Sequence, residues 1–190
     1  METKLYQIDP KEGDSAILAE AGEILRRGGL VVFPTETVYG LGGDATNPKA
    51  AQAIYEAKGR PSDNPLIIHI ANPADAEPYA VTSDAYYRLA RHFMPGPLTV
   101  ILPKKDTIPL SVTGGLDSVA VRCPSHPVAQ DLIRAAGVPI AAPSANRSGR
   151  PSPTCAAHAT EDLLGLLPFK LFHLSFIKKA MLLVIVIPID

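Results

Sequence analysis

Short apolar runs of strand length, alternating with amphipathic helical stretches, constrain this chain more than any other feature. Residues 30–33, 66–70, 98–102, 118–122 and 138–142 are such runs, and 5–8 is a shorter candidate. Between them, residues 15–27 place Leu18, Ala21 and Leu25 on one helical face and stop at Gly28-Gly29. Asn47-Pro48 reads as a cap and a first-turn proline opening a helix to about Lys58. Residues 83–93 stop before Pro95-Gly96; Ser125 is read as the cap of a helix over 127–136 closed by Gly137; 154–164 is the last helix. This alternation predicts an α/β fold with helices packed on a sheet. The long central loops favour a mixed sheet over a cleanly doubly wound one.

The chain has 190 residues, enough for one domain. Its 19 prolines and 14 glycines predict many turns and functional loops. A formal net charge of -1 gives no global attraction to nucleic acid or membrane, so any anion site has to be local. Cys123 and Cys155 lie far apart and form no C-x-x-C, which reads as two reduced thiols. The first fourteen residues are polar and hold no apolar signal core, so a cytoplasmic chain is expected.

Four segments carry chemistry. Residues 34–46 leave an apolar strand and pass three glycines. Positions 40–45 satisfy G-x-G-x-x-A, but six residues separate the strand from the first glycine, and Pro48 starts the next helix. That disfavours a dinucleotide site. Thr35 and Thr37 offer hydroxyls, and the glycines let a ligand approach the backbone.

In the second segment, Lys58 and Arg60 flank Gly59 at a helix end. Cations there complement the helix dipole, a reading open for Lys58. The proline after Arg60 fixes its direction, and a held arginine beside a lysine suits phosphate. His69 follows in a strand, where a histidine is either a satisfied core residue or a ligand contact.

Third, Arg122 ends a strand, at a ligand edge or in a surface ion pair. Fourth, Ser144, Asn146 and Ser152 lie with Arg147 and Arg150 in a loop after a strand, suiting phosphate and ribose oxygens. No G-x-S-x-G, P-loop or H-E-x-x-H pattern is present, and no metal ligands are assigned.

Five strings recur in order: FPTETVYGLG at 33–42, EAKGRPSDNPLIIHI at 56–70, MPGPLTVIL at 94–102, VAVRCP at 119–124 and APSANRSGRPSPT at 142–154. With them the chain resembles the YrdC-type threonylcarbamoyl-adenylate synthases. The resemblance implies a YrdC-like twisted mixed sheet, flanked by helices around a concave basic cleft. It also implies a nucleotidyltransferase that joins L-threonine, bicarbonate and ATP (with Mg²⁺), releases pyrophosphate, and serves tRNA modification through partner proteins. By position, Lys58, Arg60, Ser144 and Asn146 are then the polar tetrad. Arg60, Asn64, Ser118, Ser144 and Ser152 are ATP contacts, and Thr35, Thr37, His69, Arg122 and the Ala142 backbone form the threonine pocket.

Two other members of that fold are alternatives: a non-catalytic double-stranded RNA-binding or ribosome-maturation protein, and a carbamoyl-transfer module of hydrogenase maturation. The resemblance covers a YrdC-like domain over 1–165. Residues 166–190 form an atypical apolar tail without the D-G-G turn and G-x-E-S-T strand of relatives, so weak folding or activity is expected. The tail's longest uncharged run, ten residues at 180–189, is too short to span a bilayer.

Overall fold

The computed structural model describes residues 4–8, 14–163, 169–172 and 183–186. Among them a seven-stranded mixed sheet forms the centre. The first strand, β1 (Lys4–Gln7), pairs outside it, in parallel with β8 (Phe169–Phe172). The main sheet has the order β2 (Val31–Pro34), β3 (Tyr39–Asp44), β7 (Ile140–Ala141), β4 (Ile67–His69), β6 (Ser118–Arg122), β5 (Leu98–Pro103) and β9 (Leu183–Val186). The β4–β6 and β5–β9 pairs are parallel and the rest antiparallel, so the sheet is mixed as expected. The stretch set apart at 166–190 thus supplies a backbone segment to each sheet; its other residues lie outside those described, apart from these two strands.

Helices cover the sheet unequally. Alternation along β6 sends Val119 and Val121 to one face and Ser118, Ala120 and Arg122 to the other; β4 likewise splits Ile68 from Ile67 and His69. Val119, Val121 and Ile68 join the larger core with Ile54 of α2 (Pro48–Lys58), Tyr86 of α3 (Asp84–Phe93), Val112 of α4 (Leu110–Thr113) and Leu163 at the far end of the helix Ala156–Leu163. On the opposite face, α1 (Ser15–Arg26) and α5 (Pro127–Ala136) bury Leu18, Leu25 and Leu132 against Val31, Phe33 and Ile140. That second layer covers β2, β3 and β7. Over β4 and β6 it ends, so the face bearing His69 and Arg122 is left to form a cavity.

Local sequence explains most boundaries. Asp14 caps α1 by accepting the Ala16 and Ile17 amides, and Asn47 caps α2 at the Lys49 amide. The α5 cap is His126, whose Nδ1 accepts the Val128 amide at 3.2 Å. This corrects the expectation for Ser125: Pro127 occupies the first helical position, which places the cap one residue before it. Residues 39–44, read as loop, form strand β3. Glycine is a poor strand former on propensity, but a Cβ on Gly42 would meet Ile140 Cγ2 at 2.6 Å and the Phe33 ring at 2.8 Å. The close crossing demands glycine there. Cys123 is buried and Cys155 half-buried, and both thiols are free. No helix among the described residues is long and apolar enough to cross a membrane.

Candidate functional site

The β2–β3 hairpin turn builds the first wall. The Thr35 amide donates to Val38 O at 3.2 Å, and Thr35 Oγ1 donates to the same carbonyl at 2.6 Å while accepting from the Thr37 and Val38 amides. Such a hydroxyl-stabilised turn fixes residues 35–38 and brings Thr37 Oγ1 within 3.0 Å of Arg122 Nη2. Arg122 ends β6 beside His69 in register, 4% exposed, and its Nη2 also pairs with Glu36 Oε1 at 2.8 Å. Its Nε is buried and has no hydrogen-bond partner among the described residues.

His69 is buried, and its ring stands in a T-shaped arrangement with that of Phe33, centroids 6.0 Å apart at 86°. Its Nδ1 lies 3.2 Å from Ile140 O. A carbonyl only accepts, so Nδ1 carries the proton and Nε2 is left as an acceptor. Burial first, and then the Arg122 charge, push the imidazole down to about 3. His69 is therefore neutral at physiological pH. In the unfolded chain it takes a proton near 6.5. Between those values the unfolded state holds one more proton, so stability falls as pH drops from 6.5 toward 3. This group alone is expected to remove roughly 2 kcal/mol between pH 7 and pH 5. His69→Gln should flatten that part of the profile; urea midpoints of both chains at the two pH values measure it.

The second wall is the loop after β7. Three backbone bonds lay it along β3: Tyr39 N to Pro153 O, Leu41 N to Pro143 O and Ala145 N to Tyr39 O. Lys58 fixes it from beneath. Its buried ammonium donates to Ser144 O and Asn146 O, and its own carbonyl accepts the Ser148 amide. Burial, and next the Arg60 charge, push Lys58 down to about 8, against the opposing pull of Asp162. Ser144 Oγ donates to Asn146 Oδ1 at 2.5 Å, and the Asn146 amide nitrogen donates to Arg147 O and Arg150 O. Lys58 and Asn146 thus shape the loop. Arg150 of the same loop is taken up by Asp162 at 2.5 Å.

Gly59, at φ +60, ends α2 in the left-handed conformation and turns the chain into Arg60. Arg60 Nη2 donates to Pro65 O at 3.1 Å and Asn64 O at 3.3 Å, so the guanidinium is held by the loop it begins. Its Nε is buried without a partner, and burial depresses its pKa.

These walls enclose a cavity of about 390 Å³. Of the residues singled out by sequence, Thr35, Thr37, His69, Arg122 and Ala142 line it together with Arg60, Ser144 and Ser152. Lys58 and Asn146 stand behind the lining. Asn64 is exposed and reaches the site through its carbonyl; Ser118 shares the Arg122 face but sits at the other end of β6. Glu36, the ion-pair partner of Arg122, is a residue beside the cavity that sequence reading missed. Its signal was an acid between two hydroxyl residues in the same turn. Among the described residues no cluster of three or more His, Cys, Asp or Glu could hold a metal ion.

The fold and cavity define a mixed-sheet α/β protein with two separated guanidinium groups at one ligand-sized site. Comparison with known proteins places it more closely. The Sua5/YciO/YrdC family model, described as telomere recombination, matches residues 23–180. A threonylcarbamoyl-AMP synthase of Pyrococcus abyssi is 55% identical over 147 residues, covering 76% of this chain and 43% of that protein. The Bacillus subtilis threonylcarbamoyl-AMP synthase is 51% identical over 170 residues, covering 87% and 49%. The crystal structure of P. abyssi Sua5 complexed with L-threonine superposes with a TM-score of 0.91 at 44% identity, over 98% of this chain and 54% of that one. The chain belongs to the Sua5/YciO/YrdC family. It spans about half the length of the curated relatives it matches.

Proposed function

We propose that this chain carries the threonylcarbamoyl-AMP synthase site: L-threonine, bicarbonate and ATP enter, and threonylcarbamoyl-AMP and pyrophosphate leave. The observation that carries the reading is that one cavity is lined by both arginines, to which we assign two chemically distinct ends. Arg122 and neutral His69 form the first, and Arg60, Ser144 and Ser152 the second.

At the first end, Arg122 receives the amino acid's carboxylate and His69 Nε2 accepts from its nitrogen. A protonated histidine would repel the ammonium, so the depressed pKa serves binding. Once the ammonium has released a proton to solvent, the threonine nitrogen bonds the bicarbonate carbon and water leaves, which gives an N-carboxy group. At the second end Arg60 and the serine hydroxyls hold the phosphates. A carboxy oxygen forms a bond to the α-phosphorus as the bond to the β-phosphate oxygen breaks, and pyrophosphate takes the electron pair. The charge growing on pyrophosphate is what Arg60 stabilises. No covalent enzyme intermediate is required, because positioning and electrostatics supply the acceleration. Mg²⁺ accompanies the ATP. The product passes to proteins that modify tRNA in the cytoplasm.

The test is pyrophosphate release from ATP. Release is expected to depend on both L-threonine and bicarbonate. Release without threonine, or RNA retention with no release under any condition, contradicts the reading.

A further inference from the structure

Arg122 meets one carboxylate among the described residues, and it is not in the cavity lining. Glu36 occupies the turn between Thr35 and Thr37, with Oε1 at 2.8 Å from Arg122 Nη2. Both Glu36 oxygens are buried and neither accepts a hydrogen bond. A carboxylate buried without donors contributes its charge and little else. Arg122 in turn is neutralised without being saturated, since its Nε–H has no partner. Arg122 also lines the cavity, so a second carboxylate can approach the same guanidinium from there, against the charge of Glu36.

We propose that Glu36 is the resident counter-ion of Arg122 and that competition for this one guanidinium sets how firmly the cavity holds a ligand carboxylate. The inference rests on the reading that Arg122 receives the carboxylate of threonine. Without ligand, Glu36 spares the fold a lone buried cation. With ligand, it opposes the second negative charge and keeps the carboxylate exchangeable. Glu36 is thus a tuning residue that acts through Arg122.

Calorimetric titration of L-threonine and L-threoninamide into the wild type, Glu36→Gln and Glu36→Asp tests this. Glutamine keeps the shape and an acceptor oxygen but removes the charge. Glu36→Gln should bind threonine about tenfold more tightly, melt at a lower temperature, and bind threoninamide no better than the wild type. Glu36→Asp withdraws its charge by one methylene, so a smaller gain of about two- to threefold is expected. If Glu36→Gln does not fold, the aspartate variant decides alone. Threonine affinity that is equal or weaker in the variants, or an equal gain for threoninamide, overturns the inference. A wild type that binds no threonine overturns both the inference and the reading of Arg122.

Discussion

Arg122→Ala is expected to abolish threonine-dependent pyrophosphate release, by a hundredfold or more in kcat/KM, and to lower stability by about 3 kcal/mol. The two losses have different causes. Function goes because the carboxylate of the amino acid loses its cation. Stability goes because Glu36, whose oxygens are buried, is left as an uncompensated charge. Adding Glu36→Ala to Arg122→Ala removes that charge and should return most of the stability while leaving turnover absent. Denaturant melts of the single and double variants measure the first effect, and pyrophosphate assays the second. If the double variant is no more stable than Arg122→Ala, the ion pair is not what the buried arginine contributes.

Lys58→Met is expected to raise the KM for ATP by about a hundredfold while lowering stability by only about 1–2 kcal/mol. The near-cancellation follows from two opposing magnitudes. Two charge-assisted bonds, to Ser144 O and Asn146 O, are worth about 1.5–3 kcal/mol each. Burying the ammonium, which pushes its pKa from 10.5 to about 8, costs roughly 3 kcal/mol. Methionine relieves the second and forfeits the first. The consequence is local, because the two serines assigned to the phosphate end sit on the loop that Lys58 holds. A fall in global stability above 4 kcal/mol with an unchanged KM for ATP would contradict this assignment.

The sequence placed elements better than it placed the roles of individual side chains. Helices with a capping residue and a glycine stop, such as α1 and α2, matched to within a residue or two, because cap and periodicity act locally. Strand β3 was hidden because its glycines answer a long-range demand, the contact of Gly42 with Phe33 and Ile140. The members of the candidate site stood out by type and order, and eight of them line one cavity. The division of labour among them was illegible. Whether Lys58 faces a phosphate or two carbonyls depends on how the 143–153 loop lies against β3, a tertiary fact. Glu36 escaped for the same reason, since its partner lies 86 residues further along the chain.

In the proposed function one cavity holds an amino acid at Arg122 and His69 and nucleotide phosphates at Arg60. Arg60 also lines a second hollow, with Pro48, Tyr55 and Ser111. A crystal structure with L-threonine and a non-hydrolysable ATP analogue bound together decides between them. Both ligands are expected in the first cavity, with the threonine carboxylate on Arg122 and the phosphates on Arg60, Ser144 and Ser152. Phosphates bound in the hollow beside Tyr55, or threonine away from Arg122, would contradict it.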